Sequence, residues 1–211
     1  GGSHSGRSMR MAGTVIVKAS DILIEKGKRL AEIVLEASVA DIEFSDGAFR
    51  VSGTDYSVDL YTLDRESRTR ADLPEDLAGG LSVIESNEMH TPVFPNGCHI
   101  CEVEIDEDTG VVEISRYAAV DDVGRAINPL IVDGQTHGGI VQGVGQAMWE
   151  ECVYDSDGQP LCGSFMDYGM PRADQFPFFV TELNEVPSPT NPLGVKAGGE
   201  GGTTPAPAVI L

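Results

Sequence analysis

His99–Tyr117 reads HICEVEIDEDTGVVEISRY, and its alternation decides the fold class. Cys101, Val103 and Ile105 face one way, while Glu102, Glu104 and Asp106 face the other. That is the two-residue period of a strand with one dry and one wet face. Asp108-Thr109-Gly110 supplies a turn, and Val112 and Ile114 return. The pattern predicts an antiparallel hairpin over 99–117 whose apolar face must be covered by another layer.

Toward the C-terminus, 134–150 reads as a helix, with Ile140, Val141, Val144, Met148 and Trp149 as its apolar positions. Gly138, Gly139, Gly143 and Gly145 are interleaved with them. Four glycines inside a helix cost about 3–4 kcal/mol of propensity. Such a cost persists where something approaches the backbone closely, either another helix or a ligand. Phe178-Phe179-Val180 is strand-like, and 184–205 is dominated by Pro and Gly. Residues 206–211 read as a helix just beginning, so the chain is expected to be a piece of a longer polypeptide.

Toward the N-terminus, 14–39 reads as a helix on the spacing of Ile22, Leu23, Leu30, Ile33, Val34 and Ala37, with a break or fraying expected at Gly27. Residues 41–52 form a second hairpin around Asp46-Gly47, a pair suited to a turn with positive φ. A short strand and a helix from about Tyr56 to Arg65 follow over 54–66, and 67–97 reads as a long connection. The class is therefore α+β, antiparallel hairpins packed with helices in two subdomains: 1–70, a connection over 71–92, and 93–211.

Composition narrows the function. With 14 Lys and Arg against 34 Asp and Glu, the net charge of −20 argues against nucleic acid as a partner and against an anionic membrane surface. No stretch has the length of a membrane span and no signal-peptide pattern opens the chain. Four cysteines are too few for a disulfide scaffold, so a reducing cytoplasm is expected. Cys98 and Cys101 are three apart on a strand and point to opposite faces, which suits neither a bridge nor a shared metal.

Fourteen of the 25 glycines fall in three segments: 1–13, 133–145 and 194–202. In GVKAGGEGG, Gly194–Gly202, five glycines surround the single carboxylate of Glu200. Backbone N–H groups can converge on a ligand there without Cβ obstruction. A carboxylate held in such a loop against a dry pocket could serve as a base, whereas a flexible acidic loop is the plainer alternative. Asp133–Gly139 is expected to open its helix, so that free N–H groups and Gln135 make an anion cradle. His137 within it is more simply a surface or core histidine than a ligand. Arg7, Arg10 and Lys196 are the basic residues of these segments. An anionic cofactor would thus be held mainly by main-chain and neutral donors.

GVKAGGEGGTTPAP resembles the GVKGxGExG-type signature of molybdenum hydroxylase large subunits, the xanthine dehydrogenase, aldehyde oxidase and carbon monoxide dehydrogenase family. YAAVDDVGRAINPLIVDGQTHGGIVQGVGQAMWEE, FMDYGMPRAD, VPSPTNPLGVK and the opening GGSHSGRSMRMAG are similar to segments of the same family. The resemblance implies the C-terminal molybdopterin-binding part of such a subunit, with a molybdenum pterin in its cytosine dinucleotide form. Glu200 matches the general base, which removes a proton from the hydroxyl whose oxygen attacks an electron-poor carbon. Gln135 matches the pterin-contacting glutamine, and Lys196 and Gly199 fall among the cofactor contacts. Ser3, His4 and Ser5 fall where the dinucleotide is bound, with His4 standing where many members have Arg. Ala197-Gly198-Gly199 departs from the Gly-x-Gly order. No metal ligand is assigned to the chain. Implied partners are the N-terminal part of the large subunit, an iron–sulfur subunit, an FAD subunit and a small-molecule substrate. By itself the polypeptide is expected to fold but to hold no molybdenum and to be inactive. Two other classes compete: a non-catalytic subunit or interaction domain keeping the fold, and a simple phosphate-binding glycine-loop protein.

Overall fold

The computed structural model describes residues 2, 4, 6–205 and 209. It divides into Gly13–Glu88, and Gly1–Ala12 together with Met89–Leu211. The opening residues therefore group with the second half of the chain rather than with 14–70. The link is close backbone approach: a Cβ on Gly6, at φ 71°, would fall 2.7 Å from Ala197 Cβ.

In the unit Gly13–Glu88, helix α1 spans Thr14–Leu35 and follows a π-helical stretch, Ser8–Gly13. It runs unbroken through Gly27, contrary to the expected fraying. Phe49 is the reason: a Cβ at Gly27 would lie 2.1 Å from Phe49 Cζ. The propensity cost is offset by letting a fully buried ring lie against the helix backbone. α1 stops at Leu35, short of residue 39, because Glu36 turns left-handed at φ 52° and returns its N–H to the Glu32 carbonyl. Ile22, expected on the packed face, is 43% exposed, and Leu30 and Ala31 carry the packing.

β1 (Ile42–Ser45), β2 (Ala48–Val51) and β3 (Ser57–Asp59) form an antiparallel sheet in that order. Asp46 and Gly47, at φ 49° and 74°, make the tight turn between β1 and β2. Asp59 then caps helix α2 (Leu60–Thr69), accepting the N–H groups of Tyr61 and Thr62 at 3.1 and 3.0 Å. That cap starts the helix later than the expected Tyr56. Leu30, Ile42, Phe49, Val58, Leu63 and Leu77 form the core. Leu77 lies within the long connection, which is otherwise irregular to residue 95.

In the second unit, β4 (Asn96–Ile105) and β5 (Val112–Asp122) form a hairpin longer than expected. Its turn is fixed by Asp106, whose Oδ1 accepts from the Thr109 N–H at 2.7 Å and its hydroxyl at 2.8 Å. A bulge at Ser115 shifts the register between Glu102 and Val103. It brings Ile114 to the same face as Tyr117 and Ala119, where all three are buried. The dry face reaches only part of β4. His99 and Cys101 are partly covered, but Val103 and Ile105 are 38% and 59% exposed.

β6 (Val180–Leu183) pairs with β5 in parallel, so the connection between them is a crossover carrying helix α3 (Pro129–Met148). Alternation in the sequence had suggested only antiparallel pairs. Asn128 caps α3, its Oδ1 accepting from the Ile131 N–H at 3.3 Å, and Pro129 occupies the first turn. Ile140 and Val144 of α3 pack on Tyr117 and Phe179. Of the helix expected at 206–211, all but Val209 lies outside the described residues. No helix among the described residues is long and apolar enough to cross a membrane.

Candidate active site

β5 ends in two adjacent buried carboxylates, and each is answered by its own partners. Asp121 lies 3.1 Å from His99 Nε2 and 3.4 Å from the Thr136 hydroxyl. On its other side His99 Nδ1 is 3.1 Å from the Tyr117 hydroxyl. Burial first, then the nearby Cys101 and Asp121, push the Tyr117 phenol up to about 12, so it keeps its proton there. A Cβ on Gly97 would fall 2.2 Å from Asp121 Oδ1, so only glycine fits beside this carboxylate.

Asp122 accepts from the Lys196 ammonium and from the N–H groups of Gly124 at 2.8 Å and Val186 at 3.2 Å. Burial alone would raise its pKa. The Lys196 hydrogen bond, the two N–H groups and the Lys196 charge outweigh that and hold the carboxyl below its ordinary range.

Through Asp122, β5 fixes the base of the Glu200 loop. The Lys196 N–H donates to Val123 at 2.8 Å, and the Gly194 carbonyl accepts from Arg125 and Ser188, both at 2.9 Å. Gly124 (φ 72°) permits this approach, since a Cβ there would meet the Gly194 carbonyl at 2.3 Å. The loop tip rests on α3. A Cβ on Gly202 would lie 2.4 Å from the Thr136 carbonyl, and one on Gly139 would lie 2.8 Å from Gly202 Cα. The Thr203 hydroxyl donates to the Gly139 carbonyl at 3.1 Å, and Gln135 Nε2 donates to the Gly199 carbonyl at 3.0 Å. The close neighbour at Gly139 is this loop, neither of the expected partners, a second helix or a ligand.

The Glu200 loop and Arg10 of the opening segment line a cavity of about 340 Å³, while the third glycine segment, on α3, touches that loop without lining the cavity. Arg10, His99, Val123, Gly198, Glu200 and Thr204 are among its lining residues. Glu200 is exposed on this wall, and its carbonyl accepts from the Thr203 and Thr204 N–H groups, both at 3.2 Å. Cβ atoms built on Gly199 and Gly201 meet nothing nearer than 3.9 Å, so the main chain beside the carboxylate is sterically open.

Each residue singled out in the sequence can now be located. Gln135 and Gly199 touch one another beside Glu200. Lys196 spends its ammonium on Asp122. His4 is exposed, with Nε2 3.3 Å from an Arg7 guanidinium nitrogen, whereas Ser3 and Ser5 lie outside the described residues. One expectation fails. Because α3 begins at Pro129, Asp133–Gly139 lies inside the helix, where N–H groups are consumed by intrahelical bonds. The proposed cradle of opening N–H groups at those residues does not exist. His137 packs edge-on against Phe179, 5.3 Å between centroids, and its Nε2 lies 3.4 Å from the Thr181 hydroxyl. Sequence reasoning missed His99, Asp121 and Asp122. The only signal was a pair of adjacent acids at the end of an apolar strand, directly before Val123-Gly124.

The family model for the molybdopterin cofactor-binding domain matches residues 1–177. The chain belongs to this family. It is 42% identical over 215 residues to the 6-hydroxypseudooxynicotine dehydrogenase complex subunit gamma of Paenarthrobacter nicotinovorans, covering 99% of this chain and 26% of that protein. The carbon monoxide dehydrogenase large chain of Afipia carboxidovorans is 33% identical over 94% of this chain and 24% of its own length. The solved structure of quinoline 2-oxidoreductase from Pseudomonas putida 86 superposes with a TM-score of 0.84 at 33% identity, covering 99% of this chain and 27% of that one. The chain thus spans about a quarter of the length of the relatives it matches.

The molybdopterin-binding assignment agrees with the donor set. A multiply anionic ligand placed against Gly199 and Gly201 would meet open glycine main chain in a cavity that Arg10 also lines. The two aspartates under the cavity are met by Lys196, His99 and Thr136.

Proposed function

We propose that this chain is the cofactor-binding part of a molybdenum hydroxylase large subunit, with Glu200 as the general base. The observation that carries the reading is the Glu200 loop, held on α3 through Gln135 and Gly139, facing with Arg10 into one cavity. When bound, the molybdenum pterin, here in its cytosine dinucleotide form, supplies the two-electron redox centre. The protein's own part is to hold that group and to move a proton. Glu200, on an open wall, takes the proton of the attacking hydroxyl at its carboxylate. Gln135 keeps one amide N–H on Gly199 and offers its remaining N–H and oxygen to the pterin. Gly199 presents open main chain, and Lys196 acts by pinning the loop base to Asp122. Ser3, His4 and Ser5 are assigned to the dinucleotide end.

The reaction is oxidative hydroxylation of an aldehyde, an N-heterocycle or a similar electron-poor carbon, or oxidation of carbon monoxide. The N-terminal part of the large subunit, an iron–sulfur subunit and an FAD subunit complete the enzyme, which we place in the cytoplasm. Residues 1–211 by themselves would hold no stoichiometric molybdenum and would not turn over.

Glu200→Gln in the full-length enzyme tests the reading. The neutral amide cannot accept the proton, and general base loss costs on the order of 10²–10⁴ in rate. Turnover should fall by that order with molybdenum content unchanged. Unchanged turnover would favour a non-catalytic subunit that keeps the fold.

A further inference from the structure

Cys152 and Cys162 flank a short hairpin that the proposed chemistry leaves unused. Tyr154 and Pro160 form its antiparallel bridge. The Asp155 N–H donates to Gln159 at 3.0 Å, and the Leu161 N–H donates to Val153 at 2.8 Å. Residues 155 and 159, and 153 and 161, are therefore the hydrogen-bonded pairs. The next pair outward is 152 with 162, a position without main-chain bonds, where facing side chains stand closest.

The surroundings agree with that register. Cys162 Sγ lies 4.0 Å from the Val153 carbonyl. The neighbouring Cys162, by its charge, pushes the Cys152 thiol up; burial and a hydrogen bond between the two thiols add to this. Cys152 is exposed and Cys162 half-buried, so both can be reached by a small reagent. The hairpin tip is fixed without the cysteines, since Asp155 Oδ1 accepts from the Asp157 and Gln159 N–H groups, both at 2.9 Å. Gly158 supplies the positive φ of 81° at the turn.

We propose that Cys152 and Cys162 are a redox-active dithiol that closes into a cross-strand disulfide by exchange with a low-molecular-weight disulfide. One thiol loses its proton and attacks the reagent, forming a mixed disulfide and releasing one reagent thiol. The second cysteine, deprotonated in turn, displaces the other. Two protein thiols give up two electrons and two protons, and the reagent disulfide becomes two thiols. A facing pair of this kind has Cα atoms about 4.5 Å apart, at the short end of the range a disulfide spans. Such a bond is exposed, so it opens again under reducing conditions and responds to the redox poise.

The test uses the full-length large subunit in its assembled complex, equilibrated in buffers of oxidised and reduced glutathione. Acid quenching, alkylation and peptide mapping follow. The expected product is a linked peptide pair joining 152 to 162, lighter by two hydrogens and reopened by dithiothreitol. Cys152→Ser and Cys162→Ser should each abolish the link and leave a glutathione adduct on the remaining cysteine, which reports that the hairpin is still presented. The proposal is overturned if wild type carries separate adducts on both cysteines without a link. It is equally overturned if both remain alkylatable at a ratio that closes a reference dithiol.

Discussion

The side-chain amide of Gln135 donates to the carbonyl of Gly199 at 3.0 Å, one residue before Glu200. A side chain in the second turn of α3 thereby holds the peptide that carries the carboxylate. Because Gly199 is exposed, water can replace this bond. Gln135→Ala should therefore cost only about 0.5–1.5 kcal/mol of stability. Its larger effect should fall on turnover, as the loop loses one of its fixed points. Thermal shift and steady-state kinetics on the assembled enzyme separate the two, and a variant with wild-type kinetics would remove Gln135 from the site.

Gly202 and Gly138 should respond oppositely to the same change. An alanine Cβ at 202 would lie 2.4 Å from the Thr136 carbonyl and 2.8 Å from the Ile140 nitrogen, all rigid helix backbone. Gly202→Ala should cost about 1–3 kcal/mol and displace the loop. At 138 a Cβ meets nothing within 4 Å, so Gly138→Ala should be neutral or gain up to about 1 kcal/mol of helix propensity. Chemical denaturation of both variants checks the contrast.

Gly27→Ala tests the first core. Helix propensity favours alanine by up to about 1 kcal/mol, but the ring of Phe49 occupies the space. Overpacking should win, with a net loss of roughly 1–3 kcal/mol. Pairing it with Phe49→Leu should recover part of the loss, a coupling that a double-mutant cycle by urea unfolding measures directly.

Asp122 should govern part of the acid unfolding. Its folded-state pKa lies below the ordinary 3.8, so its contribution is fully present above that value and is lost as pH falls through the lower folded value. Asp122→Asn leaves the mostly buried Lys196 ammonium without its carboxylate, a change that costs about 3–5 kcal/mol at neutral pH. Denaturation between pH 7 and pH 2 should show a less stable variant whose stability falls less steeply below about pH 4. Parallel curves would mean that another group carries the dependence.

Local chemistry was legible where it acts within a few residues. Asp46-Gly47 announced its turn because the backbone there needs positive φ at both positions. The period of 99–117 announced a strand pair, but alternation does not say what will cover it, and Val103 and Ile105 stand in solvent. The start of α3 was readable in Asn128-Pro129, a cap followed by a first-turn proline. The glycine-rich stretch beyond it drew the boundary too late. Other features depend on partners distant in sequence. Phe49 explains Gly27, β6 arrives beside β5 only after a crossover, and Asp122 can be buried only because Lys196 comes to meet it. Of the residues implied by family resemblance, Lys196, Gly199 and Glu200 share one loop that Gln135 of α3 touches, His4 lies exposed beside Arg7, and Ser3 and Ser5 lie outside the described residues. Asp121 was marked only by its place in a pair of adjacent acids, and nothing local pointed to His99 as its partner.

Where Gly139 meets Gly202, main chain touches main chain with no side chain between. The spacing of that joint is set by atomic radii and by a helix that hardly bends, not by which rotamer a neighbour adopts. It works as a mechanical gauge, so substitutions that remodel the hydrophobic interior elsewhere should leave the height of the Glu200 loop above α3 unaltered. Chemistry at the rim could then diverge among related proteins while this one dimension stays constant.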